Sequence, residues 1–197
     1  MKGYWIALVG LAFVGCTPDW AQRGDSVMVL LMTAINNGSP MDSDVRLDAS
    51  GTVCPDFATL RVENHFKNPN LEATGFRGDV TIERYEVRYF CSDGRNQEGV
   101  DVPYRITGNV AQEIIAPGAA TLAVEVVRRQ AKLEPPLMNL RNNGAAIIVT
   151  MFAEVTLHGR TTTLQATNSV SARMQIDFAD YGDTLTACPT TGGGGAP

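Results

Sequence analysis

The sequence predicts an all-β fold, namely an antiparallel β-sandwich of eight or nine strands with at most one short helix. Apolar and polar residues alternate with a period of two through most of the chain, which is the pattern of half-buried strands. Turn-forming runs such as Asn36-Asn37-Gly38 and Asn142-Asn143-Gly144 separate these stretches. The connections are too short for repeated strand–helix–strand crossovers, so neighbouring strands are expected to run antiparallel.

The composition fits one folded domain and excludes several classes of protein. The 197 residues carry 16 Lys and Arg against 21 Asp and Glu, which gives a formal net charge of -5. Because no excess positive charge is available to release counterions from phosphates, no nucleic-acid partner is expected. Hydrophobic residues make up 44% of the chain, enough to bury a core, which argues against global disorder.

The N-terminus has the pattern of an export signal that ends at a cysteine. Met1-Lys2 is a short positive segment, and residues 3–15 form an uncharged apolar run of 13 residues. This run is too short to span a bilayer but suits the apolar region of a signal peptide. Phe13-Val14-Gly15-Cys16 resembles the bacterial lipobox, although Phe13 stands where Leu is usual.

The lipobox resemblance implies a signal peptide at 1–15 and acylation of Cys16, with palmitate among the acyl chains. Residues 16–26 then form a tether, and the membrane is a partner through the N-terminal lipid. Thr17 follows the cysteine where inner-membrane lipoproteins of enteric bacteria carry Asp, which indicates the outer membrane, facing either the periplasm or the surface. The alternative is an ordinary secretory peptide, but the A-x-A type of cleavage site that it requires is poor here.

The sandwich domain is expected to span residues 27–180, and its first half holds four predicted strands. Residues 27–35 are apolar on both faces, as in a buried strand or one that lines an interface. A short strand is predicted at 45–47, and residues 57–66 alternate clearly. Residues 79–91 also alternate, but the apolar parity changes near Glu83-Arg84, which predicts a β-bulge there.

The second half interrupts its strand pattern once. Strands are predicted at 102–106, 110–115, 122–126, 145–157 and 164–178. Residues 130–141 break the alternation, and Pro135-Pro136 excludes a long helix, so a short helix or an extended crossover is expected. This crossover favours a sandwich over an up-and-down barrel. His158-Gly159-Arg160 is predicted to be a hairpin turn. The last strand is expected to bend near Asn168, because it is longer than ordinary strands. Residues 181–197 form a Gly-rich tail that is expected to be flexible.

Three cysteines lie outside the lipobox, and export would allow a disulfide among them. If residues 57–66 and 79–91 form an antiparallel hairpin, Cys54 comes within one residue of Cys91, and a bulge would close the gap. Cys54–Cys91 is therefore the favoured pairing. Cys54–Cys188, which would pin the C-terminal tail, is the alternative, and the absence of any pairing stays open.

No catalytic, cofactor-binding or metal-binding residue is expected, and no cofactor. His65 and His158 are predicted at a strand end and in a turn, positions typical of surface histidines, and no nucleophile motif accompanies them. Asp42, Asp44 and Asp48 form an acidic segment, but the Gly and Glu of the EF-hand loop are missing. An irregular calcium site between loops remains an alternative.

The strand pattern over residues 27–180, together with the lipobox at Cys16, resembles the immunoglobulin-like or fibronectin-III-like modules of bacterial surface lipoproteins. The resemblance is one of architecture and brings no functional residues with it. It implies an immunoglobulin-like β-sandwich held on the cell envelope, with a structural or interaction role, an envelope protein as partner and no catalytic activity. The alternatives are a carbohydrate- or calcium-binding surface module and an enzyme whose site the sequence does not reveal.

Overall fold

Eight strands form two packed sheets in the computed structural model, which describes residues 26–47, 51–182 and 188. The three-stranded sheet has the order β1 (Met28–Ile35), β3 (Asp56–Phe66) and β6 (Gly118–Val127). The five-stranded sheet has the order β2 (Met41–Asp44), β8 (Thr167–Ala179), β7 (Val149–Thr161), β4 (Val80–Cys91) and β5 (Ile106–Ile114). This architecture confirms the predicted all-β sandwich.

Two short helices lie in the connections of the described chain, where at most one was expected. Helix α1 (Asn70–Ala73) is a single turn in the polar loop between β3 and β4, and it begins directly after Pro69, whose fixed φ favours the start of a helical turn. Helix α2 (Arg129–Leu133) and a 3-10 turn at Leu137–Leu140 flank the proline pair. The predicted crossover is confirmed, because this segment carries the chain from β6 in one sheet to β7 in the other.

One strand pair departs from the antiparallel prediction. Strands β2 and β8 run parallel, with Met41 opposite Ile176 and Asp44 opposite Ala179. Between β1 and β2 the chain passes through a 3-10 turn at Asn36–Gly38, in which all three residues have positive φ. This turn moves the chain from the three-stranded sheet to the edge of the five-stranded sheet.

The hairpin predicted between residues 57–66 and 79–91 is wrong. Strand β3 pairs with β1 and β6, whereas β4 pairs with β5 and β7, so the loop between them joins opposite sheets. Both strands carry one mostly apolar face, including Leu60 and Val62 on β3 and Ile82 on β4, and these side chains are buried in the same core. An apolar face of this kind can be buried whether two strands pair within one sheet or pack face to face in opposite sheets. Strands β3 and β4 adopt the second arrangement.

The detailed strand boundaries confirm one local prediction and correct another. The bulge is confirmed, because the register of β4 shifts between Ile82 and Arg84 against both of its neighbours. The predicted turn at His158-Gly159-Arg160 is wrong, since β7 continues through it and the hairpin turn lies at 162–166. Gly159 packs inward, where an added Cβ would lie 2.9 Å from Val80 Cγ1. Close packing rather than a turn therefore explains this glycine.

The core lies between the sheets, and polar side chains also join the two sheets. Its largest fully buried apolar side chains include Leu60, Ile82, Ile106, Ile114, Met151, Leu157, Ile176 and Phe178. The Tyr89 hydroxyl of β4 donates a hydrogen bond of 2.6 Å to the Val126 carbonyl of β6. The Asn64 amide of β3 donates bonds of 2.9 Å to the carbonyls of Gly78 and Ile114, which fixes the sheets relative to each other.

The strands run between two ends of the sandwich, which are named here by a residue that each contains. The Ser26 end carries Ser26 and the loops 67–79, 115–117 and 162–166. Register shows that these belong together, because Val80 lies opposite both Ile114 and Thr161. The Cys54 end carries Cys54 and the loops 92–105 and 128–148.

Candidate functional site

A buried ion pair lies at the Cys54 end. Lys132 of α2 is 1% exposed, and its Nζ lies 2.8 Å from Asp56 Oδ2 at the start of β3. The same nitrogen donates a hydrogen bond of 2.8 Å to the Asp44 carbonyl of β2. The Ser43 hydroxyl donates a further bond of 2.5 Å to the Asp56 carboxylate. The pair therefore joins the crossover helix to both sheets.

Opposing effects act on the pKa of the Asp56 carboxyl group. Burial raises its pKa above the usual 3.8, while Lys132 and Ser43 act in the opposite direction by stabilising the carboxylate. The neighbouring Asp44 adds a smaller upward effect. Since the nearest donors already hold the carboxylate, this centre is suited to holding the fold together rather than to taking up a ligand.

Arg141 extends the same network along the crossover. Its Nε donates a hydrogen bond of 3.0 Å to the Val45 carbonyl, and its Nη2 donates one of 2.5 Å to the Lys132 carbonyl. At the next residue, the Asn142 amide donates a bond of 2.6 Å to Asp180 Oδ2. The crossover is thus fastened to the chain after β2 and to the chain after β8.

A disulfide beside this network joins Cys54 to Cys188, with a Cα–Cα distance of 5.0 Å. The favoured pairing Cys54–Cys91 is therefore wrong, and the alternative pairing is the one observed. The error follows from the hairpin, because β3 and β4 lie in opposite sheets and Cys54 precedes β3 while Cys91 ends β4. Cys91 is a half-buried free thiol whose pKa is raised by burial.

The outer face of the five-stranded sheet holds an open groove of about 490 Å³ near the Ser26 end. The bulge in β4 turns the side chains of Glu83 and Arg84 to the outside together. Arg84 lies opposite His158 of β7, and Arg160 Nε lies 3.7 Å from Glu83 Oε1. Asn168 of β8 completes the polar wall. Charged groups of both signs thus meet in one shallow depression.

His158 is the unusual group in this groove. Its Nε2 is buried and has no hydrogen-bond partner among the residues that the structure describes. Burial lowers the pKa of His158 below its usual 6.5, and the positive charge of Arg84 lowers it further, while Glu86 partly opposes this. The imidazole therefore places one unpaired, buried nitrogen in the wall of the groove.

The other candidate residues do not converge on a site. His65 lies on β3 in the three-stranded sheet, where its Nε2 is 3.0 Å from Glu63 Oε2, so the two histidines belong to different sheets. Asp42 and Asp44 lie on β2, and Asp48 is outside the described residues. Within the described ranges, no group of three His, Cys, Asp or Glu side chains is arranged to hold a metal ion.

Sequence reasoning missed Lys132 and Asp56, the residues with the most specific geometry. Lys132 lies in the segment that interrupts the strand pattern, and its neighbours carry no sign that it is buried.

The predicted lipidation site Cys16, the signal peptide at 1–15 and most of the predicted tether and tail lie outside the described residues. None of the helices in the described part of the chain has the length and apolar character needed to cross a bilayer.

Comparison with known proteins identifies no family. No family model matches the chain, and no curated protein matches it significantly. Among solved structures, the chain is similar to a late embryogenesis abundant (LEA) protein, with a TM-score of 0.41 and 12% identity over 80% of this chain and 75% of the other. It is also similar to Spo0M, the sporulation control protein of Bacillus subtilis, with a TM-score of 0.26 and 8% identity over 77% of this chain and 49% of Spo0M. Neither likeness carries an argument about function.

Proposed function

We propose that this chain is an exported, lipid-anchored β-sandwich of the bacterial cell envelope with a structural or interaction role and no catalytic activity. The apolar run that ends at Cys16 carries the proposal, because it combines an export signal with an acylation site. The disulfide Cys54–Cys188 supports it, since such bonds persist in oxidising compartments. The described part of the domain starts at Ser26, so nine residues, 17–25, would lie between the acylated cysteine and this part.

Metabolic labelling with palmitate tests the anchor. The wild-type chain is expected to incorporate label and to fractionate with membranes, whereas Cys16→Ala is expected to lose the label. Cys91→Ala is the matched control, because it removes a thiol that is not in the lipobox. Label that persists in Cys16→Ala would overturn the proposal.

The proposed location is the outer membrane, on the evidence of Thr17. Density-gradient separation of the two membranes from the native bacterium is expected to place the wild-type chain in the outer-membrane fraction. Thr17→Asp introduces the retention residue of enteric bacteria and is expected to move the chain towards the inner membrane. A wild-type chain found in the inner-membrane fraction would contradict this location.

The interaction role is supported by exposed apolar side chains at the Cys54 end, which the anchor would leave pointing away from the membrane. Val100, Tyr104 and Ile148 are all exposed there, and apolar surface of this kind is typical of protein interfaces. A photocrosslinking residue in place of Val100 is expected to give one discrete adduct in native envelopes. Thr121, on the outer face of β6, is the matched control position. Equal adducts from both positions would argue against docking at this end.

A carbohydrate-binding module is the second candidate, and the unpaired His158 nitrogen in its polar groove favours it. Rotation of the imidazole would bring this nitrogen to the surface of the groove, where one sugar hydroxyl could donate to it and another could accept from Arg84. A glycan that binds there is expected to raise the melting temperature of the wild-type chain but not of His158→Phe. His65→Phe is the control. No shift across a broad glycan panel would remove this candidate.

A further inference from the structure

Two exposed apolar side chains stand on neighbouring loops at the Ser26 end. Ile115, between β5 and β6, is 60% exposed, and Leu164, between β7 and β8, is 50% exposed. The strands that lead to these loops, β5 and β7, both pair with β4, on either side of it. The two loops therefore project from the same end of one sheet, separated by the width of a single strand.

Hydrogen bonds to the chain around Asp79 hold both loops in place. The Thr162 amide donates a bond of 2.9 Å to the Asp79 carbonyl, and the Ala116 amide donates one of 3.4 Å to Asp79 Oδ1. The Thr163 hydroxyl donates a bond of 2.9 Å to the Arg77 carbonyl. The two apolar side chains are thus presented by ordered backbone, and their exposure does not result from loose loops.

The proposed anchor would bring this end to the bilayer. Ser26 is buried at this end, where its Oγ accepts hydrogen bonds of 3.1 Å from the Met28 amide and 2.8 Å from the Asn168 side chain. Ten residue steps separate Cys16 from Ser26, a reach of at most about 35 Å. Strand β7 alone has 13 residues, about 43 Å at the usual rise, so a domain standing upright on its Cys54 end would hold Ser26 beyond the reach of the tether.

We propose that Ile115 and Leu164 insert into the interfacial layer of the membrane that holds the lipid anchor, which sets the domain upright on its Ser26 end. This inference rests on the proposed function. Two apolar side chains bind a bilayer weakly by themselves, but the tether raises their local concentration at its surface. Exposed charges of both signs surround them, Lys67 and Arg77 against Glu72 and Glu113, so the contact does not depend on anionic lipid.

Depth-dependent fluorescence quenching tests the contact. The chain from Cys16 onwards carries Trp20→Phe and Cys91→Ser, which leaves Cys16 as the single free thiol. This thiol is attached to a maleimide lipid in phosphatidylcholine vesicles with brominated acyl chains. Ile115→Trp and Leu164→Trp are expected to show a blue shift and bromine quenching on attachment. Val100→Trp, at an equally exposed position of the Cys54 end, is the matched control and is expected to show neither.

The outcomes separate this contact from the anchor itself. Quenching at neither position, or equal quenching at Val100→Trp, would overturn the contact. Because the thiol is coupled chemically, the measurement holds even if palmitate labelling shows that cells do not acylate Cys16. Failure of the anchor and failure of the membrane contact are therefore distinguishable.

Discussion

Lys132 is the residue whose loss is expected to destabilise the fold most. Truncation to alanine would leave the Asp56 carboxylate, which is 18% exposed, beside an empty space without its main partner. Removing one member of a buried ion pair costs about 3–5 kcal/mol of stability. Lys132→Ala is therefore expected to lower the free energy of unfolding by about that amount in urea denaturation, while the exposed Lys67→Ala changes it by less than about 0.5 kcal/mol.

A double variant separates charge from packing at this pair. Lys132→Met keeps most of the side-chain volume but leaves the Asp56 carboxylate without its cation. Adding Asp56→Asn removes that charge, so the double variant is expected to be more stable than Lys132→Met alone. Equal stability of the single and double variants would show that the cost comes from packing and not from the unpaired carboxylate.

His158 should make stability depend on pH in a definite direction. Burial holds the pKa of His158 below 6.5 in the folded chain, so below that pH the unfolded chain binds more protons than the folded one. The free energy of unfolding is therefore expected to fall as the pH drops from 6.5 through the folded-state pKa. His158→Gln should reduce this fall, measured by denaturation at a series of pH values, whereas His65→Gln should leave the His158 contribution in place.

The disulfide is the main covalent constraint on the elements of the sandwich. It closes a segment with a sequence separation of 134 residues, which contains six of the eight described strands, all except β1 and β2. Loss of a native disulfide typically costs about 2–5 kcal/mol. Cys188→Ser is expected to lower stability by that order, whereas Cys91→Ser should have a small effect.

Peptide mapping of the same bond gives a direct check. Proteolysis under non-reducing conditions is expected to yield one linked peptide that contains both Cys54 and Cys188, together with an alkylated Cys91 peptide. A linked Cys54–Cys91 peptide would contradict the observed pairing. The difference in the free energy of unfolding between Cys188→Ser and Cys91→Ser should vanish under reducing conditions, because both chains then lack the disulfide.

The strands could be predicted from sequence, but their partners could not. Alternation shows which face of β3 or β4 is buried, yet the same pattern satisfies pairing within a sheet and packing between sheets. The hairpin error and the wrong cysteine pairing both follow from this ambiguity. Gly159 shows a related limit of sequence-based prediction, because the sequence alone does not distinguish a glycine required for close packing from one required for a turn. The groove at His158 depends on cross-strand register, which no local pattern contains.

At the scale of the whole molecule, the two ends have different character. The Cys54 end holds the ion pair, the disulfide and the crossover, so its connections are fastened by side chains. The Ser26 end has no disulfide among its described residues and is held by hydrogen bonds around Asp79, by the Asn64 amide and by the bond from Asn168 to Ser26. Sequence predicted that the chain forms one domain with a β-rich core, but it could not assign loops to ends, because that requires the strand order.

The disulfide also determines how the molecule would respond to mechanical tension. A pull between Ser26 and Cys188 passes through the covalent bridge to Cys54, so only the chain from Ser26 to Cys54 can extend. Strands β3 to β8 lie between the two bridged cysteines and therefore do not bear the force. In single-molecule stretching, reduction of the bond is expected to release the enclosed segment and to lengthen the extended chain by about 450 Å, from a sequence separation of 134 residues. The bridge therefore limits how far a force on the chain can extend the domain.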